Sequence, residues 1–224
     1  MHSADACRPG LTPIRVIENG VDFEEMESDA GTARFKLEAP RNVHIGSVSR
    51  LVPVKRIDLF LETASMLLRK HASVNWAFHI FGDGPLRGQL ERYASELQIG
   101  NAVTFHGHRR DISACIRGLD VLVNCSDHEG FPMSALEALA LRTPTVAHAV
   151  GGLLAVVPRE FLVENQSADG YVERVMRAVA CDAREIATRN AVETLPKYSA
   201  SANAACVRAL YEELISGSER IVAG

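Results

Sequence analysis

The sequence is short of long apolar runs. No stretch approaches the ~20 apolar residues that a membrane-spanning helix needs, although 47% of the 224 residues are hydrophobic. There is no surplus of positive charge: 24 Lys and Arg stand against 28 Asp and Glu, a formal net charge of −4. That balance disfavours a nucleic-acid binder held by phosphate contacts. Paired cysteines are missing too. Cys7, Cys115, Cys125, Cys181 and Cys206 are widely spaced with no C-x-x-C, which argues against a secreted disulfide scaffold and a structural zinc site. Four of them lie in apolar or helical surroundings and read as small buried residues. The eight histidines contain no H-x-x-x-H pair, so no helical metal-ligand spacing exists. The opening MHSADACRPG has no charged region followed by an apolar one, so no signal peptide is expected and a cytoplasmic location is. There is no internal repeat and no low-complexity segment.

What is there reads as an ordinary folded chain. Charged residues make up 23% and the mean hydropathy is +0.01, with enough apolar material to exclude disorder as the dominant state. The length allows one large domain or two small ones. Residues 1–10 read as a frayed leader, 13–17 (PIRVI) as a short strand, and 22–42 as a linker or surface excursion.

From residue 43 a regular alternation begins. Strands are expected at 43–48, 76–81, 102–106, 120–125 and 144–148, with a weaker one at 161–163. They are short and apolar without polar alternation, as buried parallel strands are. Helices are expected at 56–70, 85–98 with Pro85 at the first position, 111–118, 132–142 opened by Pro132, 168–180, 183–194 and 199–215 with Ser199 as cap. This alternation predicts a doubly wound, mostly parallel α/β sheet with a helical C-terminal tail. Ligands of such sheets bind beyond the carboxyl ends of the strands, so the loops that follow the strands carry the functional information.

The first loop is Ser49–Arg56. Arg50 leaves the strand end and Lys55 opens a helix, two cations beside backbone N–H donors that can grip a diphosphate. A solvated basic loop is the plain alternative. The second loop, Phe81-Gly82-Asp83-Gly84-Pro85, is neither G-x-G-x-x-G nor a P-loop, and a βα turn explains it. The third, His106-Gly107-His108-Arg109-Arg110-Asp111, can edge a nucleotide base or form a charged turn with Asp111 as helix cap. The fourth, running from Ser126 to Glu137, is the strongest. Glu129 and Gly130 sit in the loop and Pro132 starts the helix, while Glu137 lies deeper in it. Two carboxylates so placed can accept hydrogen bonds from the hydroxyls of a sugar or ribose; the plain alternative is a capping Asp/Glu cluster with Glu137 as a solvated helix residue. A negative charge at the sixth helical position is beyond the useful dipole zone, so capping does not explain Glu137. The fifth loop, Ala149-Val150-Gly151-Gly152, permits an anion nest or a plain turn.

Taken together, these loops resemble the nucleotide-sugar-binding half of the group 1 glycosyltransferases, the retaining family-four enzymes of the two-domain GT-B fold. The matching strings are VIENGVD (16–22), SRLVPVKR (49–56), FGDGP (81–85), VTFHG (103–107), DVLVNCSDHEGFPMSALEALA (120–140) and PTVAHAVGG (144–152). The resemblance spans roughly residues 13–215 and implies a Rossmann-like C-terminal half at 43–215, preceded by a leader, residual strand and linker at 1–42 and followed by a tail at 216–224. It implies transfer of a hexose from a UDP- or GDP-sugar with retention. Arg50 and Lys55 would hold the donor diphosphate, with Glu129 on the donor sugar beside Gly130 and Phe131, and Glu137 on the ribose. Pro132, Gly82, His106 and Gly107 complete the expected substrate-binding set. No metal or other cofactor is implied, and no nucleic-acid partner. A separate N-terminal acceptor-domain chain is an expected partner, and a peripheral membrane contact through a lipid-linked acceptor is open. Ser49 and Arg56 stand where the family has glycine, Ala155 where it has Glu, and Glu18 where it has Pro. A nucleotide-sugar-binding module or inactive remnant without turnover, and a GT-B sugar-nucleotide epimerase, are compatible with the same motifs.

Overall fold

The structure, a computed structural model, describes residues 14–32, 42–180 and 182–222. Helix α1 (Phe23–Thr32) precedes strand β1 (Val43–Val48), a 3-10 turn (Pro53–Lys55) and α2 (Ile57–Lys70). Then come β2 (Trp76–Phe81), α3 (Arg87–Glu96), β3 (Val103–Gly107), α4 (Ile112–Arg117), β4 (Val121–Asn124) and α5 (Met133–Ala140). The chain continues through β5 (Thr145–His148), the short α6 (Leu153–Val156), β6 (Leu162–Val163), α7 (Ala168–Ala178), α8 (Ala183–Thr194) and α9 (Ala200–Val222).

The six strands form one sheet in the order β3-β2-β1-β4-β5-β6, and every pairing is parallel. β4 is buried at all four positions, which is why Val121-Leu122-Val123 run apolar without alternation before the polar Asn124. Chain order reverses between β1 and β4, so a crevice opens there beyond the carboxyl ends of the strands. One side of the core is sealed by Phe81, Cys115, Ile116, Leu119, Leu122 and Ala138, joined by Ala30 from α1. On α2, Ile57, Phe60, Leu61, Ala64 and Leu67 are buried, the apolar stripe of an amphipathic helix.

The doubly wound parallel sheet expected from the alternation is present, and β1, β2 and α8 match their expected bounds residue for residue. Several local readings differ. Residues 14–20 form no strand; Val21 alone bridges Ser199, with its N–H donating to Tyr198 O at 2.9 Å. Part of the stretch read as linker is helix α1, whose Ala30 enters the core; its acidic start, Glu24-Glu25, suits a helix N-terminus. Pro85 stands two residues ahead of α3 rather than at its first position. The expected leader at 1–10, the linker residues 33–41, Cys7 and Cys181 lie outside the described residues.

The chain divides into two compact units, Asp22–Lys197 and a smaller one joining the segment up to Val21 with the chain from Tyr198 onward. In the smaller unit Ser199 caps α9, its Oγ accepting from the Ala202 N–H at 3.1 Å, as expected. Arg15 pairs with Glu213 at 2.9 Å. The helix runs on to Val222, through residues read as tail. Among the described residues no helix is long and apolar enough to cross a membrane.

Candidate functional site

Strands β1 and β2 end side by side, Val48 opposite Phe81, and the loops beyond them enclose a cleft of about 320 Å³. Arg50, Gly82, Asp83, His108, Arg109 and Glu137 contribute to its wall. Gly82 is there by necessity. Its φ is +125° and a Cβ would stand 1.9 Å from Ser49 O, so only glycine lets the second loop press against the first.

Arg50 is exposed, and its guanidinium has no ion pair among the described residues. Glu137 is half-buried in the first turns of α5 and has no side-chain partner there either. Burial pushes its carboxyl above the ordinary value of 4.5, because a desolvated charge is disfavoured. A partly desolvated acceptor that faces a cleft with no donor bonded to it is matched to ligand hydroxyls.

The other two expected catalytic residues meet each other. Lys55 Nζ donates to Glu129 Oε2 at 2.6 Å, with 19% and 12% of the two side chains exposed. Ser126 Oγ donates to the same oxygen at 3.2 Å. The loops carrying the pair are also joined by the Asp127 N–H, which donates to Val54 O at 2.9 Å. Glu129 is held from behind. The Gly152 N–H donates to Glu129 O at 2.9 Å, and a Cβ on Gly151, which has φ +53°, would lie 2.0 Å from that oxygen. The Gly151-Gly152 pair therefore serves close packing under Glu129 rather than an open anion nest. The neighbouring Gly130 N–H has no acceptor among the described residues. Phe131 and Pro132 lead into α5, with Pro132 as its N-cap residue.

His106 and Gly107 are placed differently from the expectation. The cleft wall carries His108 and Arg109. His106 belongs to a hydrogen-bonded row that crosses three strands: His44 Nδ1 to His79 Nε2 at 3.0 Å, and His79 Nδ1 to His106 Nε2 at 2.9 Å. Phe81 stacks on His106 with centroids 4.5 Å apart. Burial, with His106 and His44 adding to it, lowers the His79 pKa to about 4. The register between β2 and β3 shifts at Ile80/Phe81, so Phe81 pairs with Gly107. That bulge carries the loop outward by one residue, and a glycine with φ +68° at the strand end is its sequence mark. Asp111 is no side-chain cap for α4; Arg109 holds it in two hydrogen bonds at 2.8 and 2.7 Å and lowers its pKa. Ser126 was not foreseen as a partner of Glu129, and nothing in the sequence marks it beyond its place three residues earlier.

The arrangement thus has two cation–carboxylate combinations at the switch point, Arg50 with Glu137 in the cleft and Lys55 with Glu129 alongside. Residues 30–212 match the family model described as glycosyl transferases group 1. The chain belongs to the group 1 glycosyl transferases. Among curated relatives, it is 26% identical over 161 residues to the poly(ribitol-phosphate) alpha-N-acetylglucosaminyltransferase of Staphylococcus aureus, covering 69% of this chain and 32% of that protein. It is 31% identical over 223 residues to the D-inositol 3-phosphate glycosyltransferase of Corynebacterium jeikeium, covering 92% and 53%. The chain therefore spans between a third and about half of the length of these relatives. Anabaena Alr3699/HepE, solved in complex with UDP-glucose, shares the fold with a TM-score of 0.77 at 21% identity, over 88% of this chain and 57% of that one.

Proposed function

We propose that this group 1 chain is the donor-binding half of a retaining hexosyltransferase that takes a UDP- or GDP-sugar. The observation that carries the reading is the 2.6 Å contact between Lys55 and Glu129. In a nucleotide sugar the diphosphate is bonded directly to the anomeric carbon, so a cation for one and a carboxylate for the other belong side by side. In this reading Arg50 and Lys55 take the diphosphate, Glu129 with the Gly130 N–H takes the sugar hydroxyls, and Glu137 takes the ribose. Gly82 and the His108–Arg109 wall border the nucleoside end. The HepE complex with UDP-glucose supports a nucleotide-sugar ligand for this fold.

The reaction breaks the bond between the anomeric carbon and the diphosphate oxygen, with the electron pair leaving on that oxygen. The acceptor hydroxyl forms the new bond on the same face, and its proton passes to the departing phosphate. Negative charge grows on the diphosphate, so the fixed cations Arg50 and Lys55 stabilise the transition state more than the ground state. These cations supply the charge that a metal provides in other transferases, and no metal is proposed. Acceptor recognition is assigned to the part of such proteins that this chain does not match, on the same or a separate polypeptide.

The test is donor turnover. Incubated with UDP- and GDP-hexoses, alone and with a candidate acceptor-domain partner, the chain is expected to release the nucleotide diphosphate and to give an α-linked product by NMR from an α-linked donor. A β-linked product would overturn retention. Interconversion of the donor sugar without transfer would favour an epimerase.

A further inference from the structure

Arg56 adopts a backbone conformation that residues with a Cβ seldom take. At φ 49° and ψ 46° it lies in the left-handed region that glycine enters freely, between the Pro53–Lys55 turn and α2. Its guanidinium is engaged on two sides. Nε donates to the two oxygens of Asp58 at 3.2 and 3.1 Å and Nη2 to Oδ2 at 2.9 Å. Nη1 donates to Asp127 Oδ1 at 3.3 Å. Asp127 is itself tied down: Gln166 Nε2 donates to the same Oδ1 at 3.0 Å and to Cys125 O at 2.9 Å.

Arg56 follows Lys55 directly, and Asp127 stands two residues before Glu129. The loops leaving β1 and β4 are thus cross-linked by the Val54–Asp127 backbone bond, the Lys55–Glu129 pair and the Arg56–Asp127 pair. These links differ in what a ligand does to them. An arriving diphosphate and sugar compete for Lys55 and Glu129, whereas Arg56 and Asp127 already satisfy each other and need not let go. A strained backbone at a binding site persists where surrounding contacts over-determine it, and here the contacts are these two carboxylates.

We propose that Arg56 is a positioning residue, which through Asp127 holds Lys55 beside Glu129 while the ligand exchanges their partners, and that it is not a third cation on the phosphates. The inference rests on the nucleotide-sugar reading above. Its test uses Arg56→Gly, which keeps the left-handed backbone at no steric cost, and Asp127→Asn, which keeps the size and can still accept from Gln166. Two readouts are taken on each variant and on the double variant: hydrogen exchange at the residue-127 amide without ligand, and calorimetric affinity for UDP and GDP. Each single variant is expected to raise exchange at position 127 and to weaken the nucleotide three- to tenfold, with the double variant no weaker than Arg56→Gly alone. Weakening by Arg56→Gly with unchanged or tighter binding by Asp127→Asn would overturn the proposal, since the guanidinium would then act on phosphate directly. Unchanged affinity in Arg56→Gly would overturn it as well, whatever the exchange. If Arg56→Gly does not fold, Asp127→Asn decides by the same criteria. Should the unsubstituted protein bind neither nucleotide, the nucleotide-sugar reading fails, while unchanged exchange in the variants would separately refute the clamp.

Discussion

Lys55 and Glu129 illustrate how two partly buried charges hold each other in place. Each is a charge largely withdrawn from water, and each is tolerable because the other is 2.6 Å away. Removing one partner leaves the other desolvated and uncompensated, which costs about 3 kcal/mol or more for a fully buried pair and less where some solvent remains. Lys55→Ala is therefore expected to lower the melting temperature, and Lys55→Ala with Glu129→Ala to recover part of the loss; thermal denaturation of the two variants checks it. Glu137 works in the opposite sense. Burial raises its pKa above 4.5, so the folded state binds more protons than the unfolded state just above that value. Its contribution to stability is then present at low pH and is lost as the pH rises through the folded-state value. Glu137→Gln should stabilise the protein at pH 7 and flatten that slope in pH-dependent melts, yet weaken UDP or GDP about tenfold or more by removing a charge-assisted acceptor. His79 has a depressed pKa near 4, in contact with His44, His106 and Phe81. Here the unfolded state takes up the proton first as the pH falls. Stability should decline from pH 6.5 toward about 4, and His79→Phe should remove that share of the decline in melts over the same range.

At the scale of elements, the site is a matter of loops brought close by residues that have no side chain. A Cβ at position 151 would collide with Glu129 O at 2.0 Å, in a backbone conformation with φ +53°. Gly151→Ala should destabilise the fold by about 2 kcal/mol or more and weaken nucleotide binding by displacing Glu129; denaturant unfolding and calorimetry on one variant test both. The strands and most helices were legible in the sequence because short apolar runs and i, i+3, i+4 spacing report burial directly. Residues 13–17 read as a strand by the same criterion, but a strand needs a neighbour to pair with, and local apolarity does not supply one. The β2–β3 bulge was hidden too. It shifts the loop by one residue, so His108 and Arg109 face the cleft where the family resemblance pointed to His106. The Arg56–Asp127 contact joins residues 71 apart, and no local pattern predicts a pairing of that range.

For the whole molecule, the sheet order with its reversal between β1 and β4 gathers loops distant in sequence at one crevice. Arg50, Lys55, Glu129 and Glu137 were individually ambiguous on the sequence, each with a plain surface reading; topology sets them in two combinations. The length is comfortable for folding alone, and the part that matches covers about half of one relative and a third of another, which is why donor binding is the property assigned to these residues. The decisive measurement is calorimetric titration of the folded chain with UDP, GDP and ADP at neutral pH. One nucleotide diphosphate should bind at a single site, with affinity falling about tenfold or more in Arg50→Ala and in Glu137→Gln. Absence of binding by well-folded protein at millimolar nucleotide, or binding indifferent to both substitutions, would contradict the assignment.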